Sequence, residues 1–473
     1  MTDAVALTLD PDRLFPAESR ARDIARRLYA EIADLPIISP HGHTDPSWFS
    51  SNAAFTDATT TFLWPDHYVT RMLYSQGIAP ARLGIRSDNP ELPAETDLRA
   101  AWRLFADHYH LFRGTPSRIW YDHVFATVFG IDVRLTGATA DHYYDLIGDK
   151  LASEAFRPRA LFDRFGLEVL ATTEGALDGL EHHSALQKDW HGRVITTFRP
   201  DDVIDADRED FVANVDRLGE ITGEDTQGWR GYLAALEKRR AFFRAHGATA
   251  SDHGHPTAAT ADLPRHEIEA LFARIRSGRG SAADAELFRA QMLTEMARMS
   301  VEDGMVMQIH PGAMRNHNPW LFAHYGRDRG ADLPVATEYV RALKPLLDRF
   351  GNATDLSIIL FTLDETVYAR ELAPLAGHYP ALKLGPSWWF HDSPEGMLRF
   401  RRNVTETAGF YNTVGFNDDT RAFFSIPARH DVARRIDCHF LAELVTTGRL
   451  AEDEAFDLAP RLARDFAKAA YKL

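Results

Sequence analysis

Short apolar runs recur along the chain, and polar residues with reactive side chains follow most of them. Short runs rich in aliphatic residues are typical of buried β-strands. We predict eight strands on this basis. They span residues 35–39, 167–172, 193–198, 248–251, 304–309, 356–361, 381–384 and 413–416.

Segments with helical periodicity lie between most of these runs, for example over residues 178–188 and 339–350. Strands that alternate with helices form parallel sheets, and eight such units are typical of a closed barrel. We therefore predict an α/β fold, a (β/α)8 TIM barrel, that occupies residues 1–473 as a single domain.

Two long segments interrupt the regular spacing of the strands. Residues 44–160, after the first strand, are rich in aromatic side chains and have a mainly helical pattern. Residues 201–246, after the third strand, have the pattern of a helical pair. Since no linker sequence sets either segment apart, we expect helical insertions in one barrel rather than separate domains.

The residues that follow the predicted strands carry most of the candidate chemistry. Active sites of such barrels lie at the carboxyl ends of the strands, so these positions are expected to meet in space. They include His41, His43, Thr173, Glu174, Arg199, Asp252, His253, His310, Asp364, Trp388, Asp418 and Asp419.

The pair His41 and His43 follows the first strand directly. Side chains alternate along a strand, so two histidines separated by one residue project to the same side. Neutral imidazole nitrogens in this arrangement are suitable ligands for zinc or a similar divalent cation. The alternative is that loop carbonyl groups satisfy both rings.

Two adjacent carboxylates, Asp418 and Asp419, follow the last predicted strand. In a closed barrel the first and last strands are neighbours, so a carboxylate here lies opposite the histidine pair. It then completes a metal site or acts as a base. A solvated turn is the alternative, since Asp-Asp pairs are common in turns.

Arginine and aromatic residues near the strand ends suggest an anionic sugar ligand. Arg199, Arg315 and Arg421 are suited to carboxylate binding through paired hydrogen bonds, although surface ion pairs are the alternative. Trp388 and Trp389 either stack on a sugar face or pack in the core.

Three further residues are candidates with open roles. His310 follows the fifth strand and is a candidate ligand, acid–base group or core histidine. His67 and Tyr68, in the first insertion, either cover the site as a lid or lie on a helix surface.

Composition narrows the class of partner. The net charge of −15 argues against nucleic acid and against an anionic membrane surface, and no apolar run is long enough to span a bilayer. Cys438 is the single cysteine, so no disulfide forms within the chain. The first residues lack the pattern of a signal peptide, and we expect a cytoplasmic protein, with a homo-oligomer left open.

Taken together, these residues resemble the uronate isomerase (glucuronate isomerase) family, a branch of the amidohydrolase superfamily. The resemblance extends over nearly the whole chain. Its motifs are Pro40–His43, Asp66–Tyr68 with Arg71, Thr172–Glu174, Phe198–Asp201, Gln308–Ala313 with Arg315 and Asn316, Trp388–Phe390, and Asp419–Phe423. The family's Thr-Thr-Asp is Thr172-Thr173-Glu174 here, which leaves the preferred uronate open.

The resemblance implies one divalent metal ion, zinc, held by His41, His43 and Asp419. Asp419 takes this place rather than Asp418 because the family's pattern sets the aspartate two residues before an arginine. The remaining residues implied to line the sugar-acid site are Arg199, Arg421, His67, Tyr68, and Trp388 or Trp389.

The family interconverts an aldehyde uronic acid and its keto form, for example D-glucuronate with D-fructuronate and D-galacturonate with D-tagaturonate. Such a reaction needs a base near C2, stabilisation of enediolate charge and a clamp on the carboxylate. We expect Asp419 or a group beside it to take the C2 proton. Tyr68 or His67 would serve the C1–O1 end, and Arg199 and Arg421 would hold charge.

Two other functions remain to be weighed. A metal-dependent hydrolase of the same superfamily, acting on a small acidic substrate, is expected to have a histidine after the sixth strand, where this chain has Thr362-Leu363-Asp364. A non-catalytic sugar-acid-binding barrel needs no metal carboxylate, so Asp419 argues against it.

Overall fold

A curled sheet of seven parallel strands forms the centre of the fold in the computed structural model, which describes residues 5–473. The strands in chain order are Ile37–Ser39 (β1), Leu167–Gly175 (β2), Val194–Arg199 (β3), Ala250–His253 (β4), Val306–Ile309 (β5), Ala313–Met314 (β6), Leu333–Pro334 (β7), Ile358–Leu360 (β8) and Leu382–Leu384 (β9). Their order in the sheet is β1-β2-β3-β4-β5-β8-β9, while β6 and β7 form a separate antiparallel ribbon. The alternating pattern therefore predicts the class and the order of the central strands.

The last predicted strand, over residues 413–416, does not form as a strand. Thr413 makes one isolated parallel bridge to Leu384, and the Val414 N–H donates to the Leu384 carbonyl at 3.0 Å. Gly415 then adopts a φ of +76°, a left-handed conformation that interrupts the extended backbone. The sheet thus has seven strands where we expected eight.

The segment after this bridge nevertheless lies against the start of the sheet. The His43 N–H donates to the Thr420 carbonyl at 3.0 Å, and the Ser39 hydroxyl donates to the Asp418 carboxylate at 3.1 Å. These contacts bring the residues that follow β9 to the end of β1.

Helices cover the connections between the strands. Before β1 lies Ser19–Ile32 (α1), and between β1 and β2 lie Pro46–Ser51 (α2), Ala58–Phe62 (α3), His67–Ser75 (α4), Leu98–His108 (α5), Pro116–His123 (α6), Ala140–Leu151 (α7) and Pro158–Arg164 (α8). Next come Glu181–Asp189 (α9), Asp201–Ile204 (α10), Phe211–Thr222 (α11), Trp229–Ala245 (α12), Arg265–Arg276 (α13) and Ala282–Asp303 (α14). The remainder are Pro319–Tyr325 (α15), Lys344–Phe350 (α16), Ala373–Ala376 (α17), Pro394–Ala408 (α18), Ile426–Thr446 (α19), Glu452–Pro460 (α20) and Phe466–Ala470 (α21).

The two long segments predicted to be helical contain several helices each. Seven α-helices, α2 to α8, lie between β1 and β2, and α10 to α12 lie between β3 and β4. Their status as insertions 44–160 and 201–246 in a single domain stays a prediction.

The C-terminal segment packs on the inner side of the sheet. Ala467 lies among Ile38 and Val169, and Tyr471 lies among buried side chains of the later strands. The Lys472 ammonium group donates to the Gly304 carbonyl, next to the start of β5, at 2.7 Å. This segment therefore covers the amino ends of the strands and leaves their carboxyl ends for the site.

Within residues 5–473, no helix has the length and apolar character needed to cross a membrane.

Candidate functional site

A cavity of about 400 Å³ opens at the carboxyl ends of the strands. A volume of this size is typical of sites for small molecules. Most of the candidate residues named from the sequence line it: His41, His43, His67, Tyr68, Thr173, Glu174, Arg199, His310, Arg315, Trp388, Trp389, Asp419 and Arg421. Asp252, His253, Asp364 and Asp418 are not among its lining residues. The structure thus brings together in one cavity residues that lie as far apart along the chain as His41 and Arg421.

His41, His43 and Asp419 form a compact cluster on one side of the cavity. The Oδ1 atom of Asp419 lies 3.2 Å from Nε2 of His43 and 3.7 Å from Nε2 of His41. These ligand atoms all lie within 4.8 Å of one another. Two imidazole nitrogens and one carboxylate oxygen are a donor set that a divalent cation binds.

The two neighbouring aspartates face different surroundings. Asp419 adopts a φ of +35°, which turns its carboxylate toward the imidazoles. Asp418 is fully buried, accepts the hydrogen bond from Ser39, and lies 3.0 Å from Nε2 of His430. The Asp418 carboxylate therefore holds the side chains of Ser39 and His430, and Asp419 faces the cavity.

The His41 ring is held from behind. The Gln308 side-chain amide lies 3.2 Å from Nδ1 of His41, and the Tyr471 hydroxyl donates to Oε1 of Gln308 at 2.8 Å. Such outer contacts fix the ring orientation of a metal-binding histidine. The chain Tyr471–Gln308–His41 links the C-terminal segment to the cluster and leaves Nε2 of His41 facing Asp419.

Burial and mutual contacts set the charge of the cluster. Burial lowers the pKa of His43, so its ring is neutral near pH 7 and can act as a ligand. For Asp419 burial alone would raise the pKa, but the contacts with His43 and His41 outweigh it, and the net pKa lies well below its usual range. The cluster is therefore a carboxylate with a neutral His43 ring, the form that binds a cation.

Arginines paired with aspartates line the other walls of the cavity. Arg199 lies 2.9 Å from Asp201, Arg315 lies 2.7 Å from Asp332, and Arg421 lies 3.1 Å from Asp328. Sequence reasoning missed three more that line the cavity, and these are Arg208, Arg327 and Arg429. The six arginines of the cavity wall stand among seven carboxyl groups, so the arginines are the groups there that can bind an anionic ligand.

His67 and Tyr68 reach the cavity from the first helical segment. The Asp66 carboxylate caps α4 and accepts the Tyr68 N–H at 2.9 Å, which places both residues in the first turn of that helix. Burial lowers the pKa of His67 to about 3 and raises the pKa of Tyr68. Both side chains are therefore neutral, and the Tyr68 hydroxyl donates to the Trp389 carbonyl at 3.1 Å.

The two tryptophans differ in their contacts. The Trp388 indole N–H donates to Oδ2 of Asp419, the carboxylate oxygen that does not face the imidazoles. Trp389 has a φ of +52°, and the Arg315 guanidinium lies over its ring at 5.3 Å. Trp388 thus orients Asp419, while Trp389 forms a wall beside Arg315.

His310 contacts a carboxylate to which sequence reasoning gave no role. Its Nε2 lies 2.8 Å from Oδ1 of Asp252, which is fully buried at the end of β4. The other oxygen, Oδ2, lies 3.5 Å from Arg199 and 4.0 Å from His41. The position of Asp252 after a strand was the available signal, and its contacts link the arginine wall to the metal-type cluster.

Glu174 is an unusual carboxyl group on the cavity wall. It lies near the end of β2 and accepts a hydrogen bond from the Thr196 hydroxyl. Burial raises its pKa to about 7, so a large fraction is protonated near neutral pH. It was visible in the sequence as the departure Thr172-Thr173-Glu174.

A second group of ligand-type atoms lies on the far side of Arg199. Asp201, His253 and His255 each offer one atom, and these atoms all lie within 4.8 Å of one another. Burial lowers the pKa of His253 to about 3 and also lowers that of His255. Sequence reasoning noted His253 after a strand but did not connect it with His255 or Asp201.

Backbone strain concentrates at the cavity. Among residues 5–473, eight residues other than glycine have positive φ, and four of them line the cavity. These four are Asn316, Asp328, Trp389 and Asp419. Strained backbone of this kind clusters at functional sites, where it holds side chains in fixed directions.

The chain is similar to known proteins over nearly its whole length. A family model described as glucuronate isomerase matches residues 19–469. The uronate isomerase of Sphingopyxis alaskensis is 65% identical over 472 residues, which are 99% of both chains. That of Rhizorhabdus wittichii is 65% identical over 471 residues, covering 99% of this chain and 100% of the relative.

Solved structures of glucuronate and uronate isomerases are also similar to this chain. A crystal structure of glucuronate isomerase from Caulobacter crescentus has a TM-score of 0.97 and 60% identity, covering 99% of this chain and 97% of that one. Uronate isomerase from Thermotoga maritima has a TM-score of 0.91 at 27% identity, with 98% and 99% covered.

Proposed function

The chain belongs to the glucuronate isomerase family, and we propose that it interconverts D-glucuronate with D-fructuronate, D-galacturonate with D-tagaturonate, or both, at a single zinc ion. It is a uronate isomerase, an intramolecular oxidoreductase that converts an aldose sugar acid into a ketose. The observation that supports the site most strongly is the cluster of His41, His43 and Asp419 in a cavity lined by arginines.

The closed barrel belongs to this proposal. The segment 413–420 bridges β9 through Thr413 and reaches β1 through the hydrogen bond from His43 to Thr420. We infer that it takes the place of the eighth strand. This arrangement supports the meeting of the histidine pair with Asp419, because neighbouring positions of a closed barrel carry them.

The residues fit a divalent cation. Oδ1 of Asp419 is buried, has no hydrogen-bond partner of good geometry, and faces two imidazole nitrogens. Three protein ligands with an open side are typical of catalytic zinc, and His41, His43 and Asp419 would hold it. When bound, the cation would polarise a substrate oxygen and fix the position of the sugar.

Proton transfer between C2 and C1 is the chemical core of the reaction. We propose that Asp419, or a group beside it, takes the C2 proton and returns it at C1, while the proton of the C2 hydroxyl moves to O1. Tyr68 and His67 face the same cavity in their neutral forms, so either can donate a hydrogen bond to the oxygen that becomes negative at the C1–O1 end.

The arginines supply the clamp on the sugar acid. Arg199 ends β3, Arg421 lies two residues after Asp419, and both line the same cavity. Arg315, His310, Trp388 and Trp389 complete the proposed binding surface. Bidentate hydrogen bonds from a guanidinium to a carboxylate fix both its position and its orientation.

The hydrolase alternative is not favoured. The uronate isomerases at 65% identity span 99% of this chain. In addition, β8 leads to Asp364, whose carboxylate accepts the Thr366 N–H at 3.0 Å and caps a turn. A cytoplasmic location and a homo-oligomer stay predictions.

The test is a direct assay of the purified protein. D-Glucuronate and D-galacturonate are incubated separately with the protein, with and without a chelator, and ketose formation is followed by NMR. We expect ketose from at least one sugar, with incorporation of solvent deuterium, and loss of the reaction with the chelator. The absence of ketose from both sugars with metal present would contradict the proposal and return the hydrolase to consideration.

A further inference from the structure

We propose that Asp201, His253 and His255 form a second divalent-metal site, separate from the cluster of His41, His43 and Asp419. Asp201 begins α10 directly after β3, His253 ends β4, and His255 follows two residues later. Since β3 and β4 are neighbours in the sheet, their ends bring the three side chains together. The candidate ligand atoms lie within 4.8 Å of one another, and Nε2 of His255 lies 3.9 Å from Oδ1 of Asp201.

The unpartnered imidazole nitrogens are the independent observation. His253 is fully buried and His255 is 4% exposed. Nδ1 of His253 and both ring nitrogens of His255 have no hydrogen-bond partner. A buried polar atom without a partner costs about 1–3 kcal/mol, so three such atoms in one place, none paired within the protein, favour a bound occupant.

The donor chemistry selects the occupant. Nε2 of His253 is 3.2 Å from the Ser251 hydroxyl, which fixes that side of the ring and leaves Nδ1 for the shared space. Two imidazoles and one carboxylate suit zinc, cobalt or nickel, whereas magnesium and calcium prefer oxygen ligands alone. A divalent transition metal therefore fits this site better than a hard cation.

The second site is linked to the sugar-acid cavity through a hydrogen bond to Arg199. The Asp201 carboxylate accepts a hydrogen bond from Nε of Arg199 at 2.9 Å and from the Gly254 N–H at 3.2 Å. A cation on its remaining lone pairs would fix Asp201 and, through it, Arg199. The second metal would thus position a cavity arginine rather than contact the substrate.

Metal content of the full-length protein tests the proposal. The protein is stripped with a chelator, reloaded with zinc, freed of excess metal and analysed by elemental mass spectrometry. We expect about two zinc ions per chain in the unmodified protein and about one in His255→Gln. The matched control is His266→Gln, whose side chain is 82% exposed and which should keep about two. One zinc in the unmodified protein, or two in His255→Gln, would overturn the proposal.

Crystals of the unmodified protein give a test that does not depend on folding of a variant. Anomalous difference maps measured at the zinc edge should show a peak between Asp201, His253 and His255. A water molecule there, without an anomalous peak, would overturn the second site. The peak at His41, His43 and Asp419 is judged separately, so failure of either site is distinguishable from failure of the other.

Discussion

The two clusters at the cavity use similar donor atoms in opposite surroundings. In the first cluster, the side chains of His43 and Asp419 are 23% and 13% exposed and face the cavity. In the second cluster, His253 is fully buried and the side chain of His255 is 3% exposed, whereas Asp201 is 20% exposed and lines the cavity. Catalytic zinc sites keep an open coordination position, whereas structural sites are closed by protein.

The clusters also differ in how their carboxylates are held. Oδ1 of Asp419 faces imidazoles alone, and its other oxygen accepts from Trp388. Asp201 is already paired with Arg199. We infer that the exposure of an imidazole to the cavity, rather than the donor set, distinguishes the proposed catalytic cluster from the proposed supporting one.

The same substitution in each cluster should give the largest contrast. Asp419→Asn removes the proposed base and a metal ligand, and we expect turnover to fall by about 10³-fold. Asp201→Asn leaves the first cluster intact and weakens the contact that holds Arg199, so we expect kcat/KM to fall by about tenfold. Both are measured by NMR-detected ketose formation, with the exposed Asp453→Asn as the matched control. Equal losses of activity in Asp419→Asn and Asp201→Asn would contradict the proposed difference between the two clusters.

Tyr471→Phe should weaken the first cluster alone. The Tyr471 hydroxyl holds Gln308, which in turn holds His41, and loss of such an outer contact lowers metal affinity by about tenfold or more. The affinity is measured by zinc competition with a chromophoric chelator, and the second zinc should be retained. The 57% exposed Tyr411 offers the control, Tyr411→Phe. Unchanged affinity in Tyr471→Phe would show that the contact has no influence on the cluster.

Arg421→Lys should affect substrate binding more than turnover. A lysine keeps the charge but loses the paired hydrogen bonds, so we expect KM for the sugar acid to rise by about tenfold with a smaller change in kcat. Steady-state kinetics measures both constants. Arg341→Lys is a matched control because the Arg341 side chain is 89% exposed. A loss confined to kcat would contradict the proposed role as a clamp.

Glu174 lies on β2, between β1, which precedes His41 and His43, and β3, which precedes Asp201. Glu174→Gln therefore tests the carboxyl group between the two clusters. The folded-state pKa of Glu174, about 7, lies above its ordinary value of 4.5, so its contribution to stability is complete below pH 4.5 and is lost as the pH rises through 7. Glutamine does not titrate, so the variant does not lose stability in this pH range. Relative to the unmodified protein, its free energy of unfolding should rise by on the order of 2 kcal/mol between pH 5 and pH 8, measured by urea denaturation. A pH-independent difference would contradict the raised pKa.

Much of the fold is readable from local pattern because buried parallel strands need uninterrupted apolar runs. The run over residues 304–309 predicts β5, observed at Val306–Ile309. The run over residues 413–416 fails as a strand because Gly415 turns the backbone. The ribbon of β6 and β7 was not predicted, since two-residue strands leave no recognisable run.

The site residues likewise divide into those that the local sequence predicts and those that only the fold brings together. Histidines and aspartates directly after strands were found because strand ends meet in space. Arg429 was missed because it lies on α19, a helix whose sequence gives no sign that it faces the cavity. His255 was missed because its role depends on Asp201, which belongs to a different strand end. Such contacts exist only in the folded chain.

Restoration of activity by metal tests the central claim most directly. Protein stripped of metal is titrated with zinc while ketose formation from D-glucuronate and D-galacturonate is followed by NMR. We predict that the stripped protein forms no ketose, that zinc restores the reaction, and that His43→Gln does not recover at the same zinc concentration. Ketose formation at an undiminished rate by the metal-free protein would contradict the account.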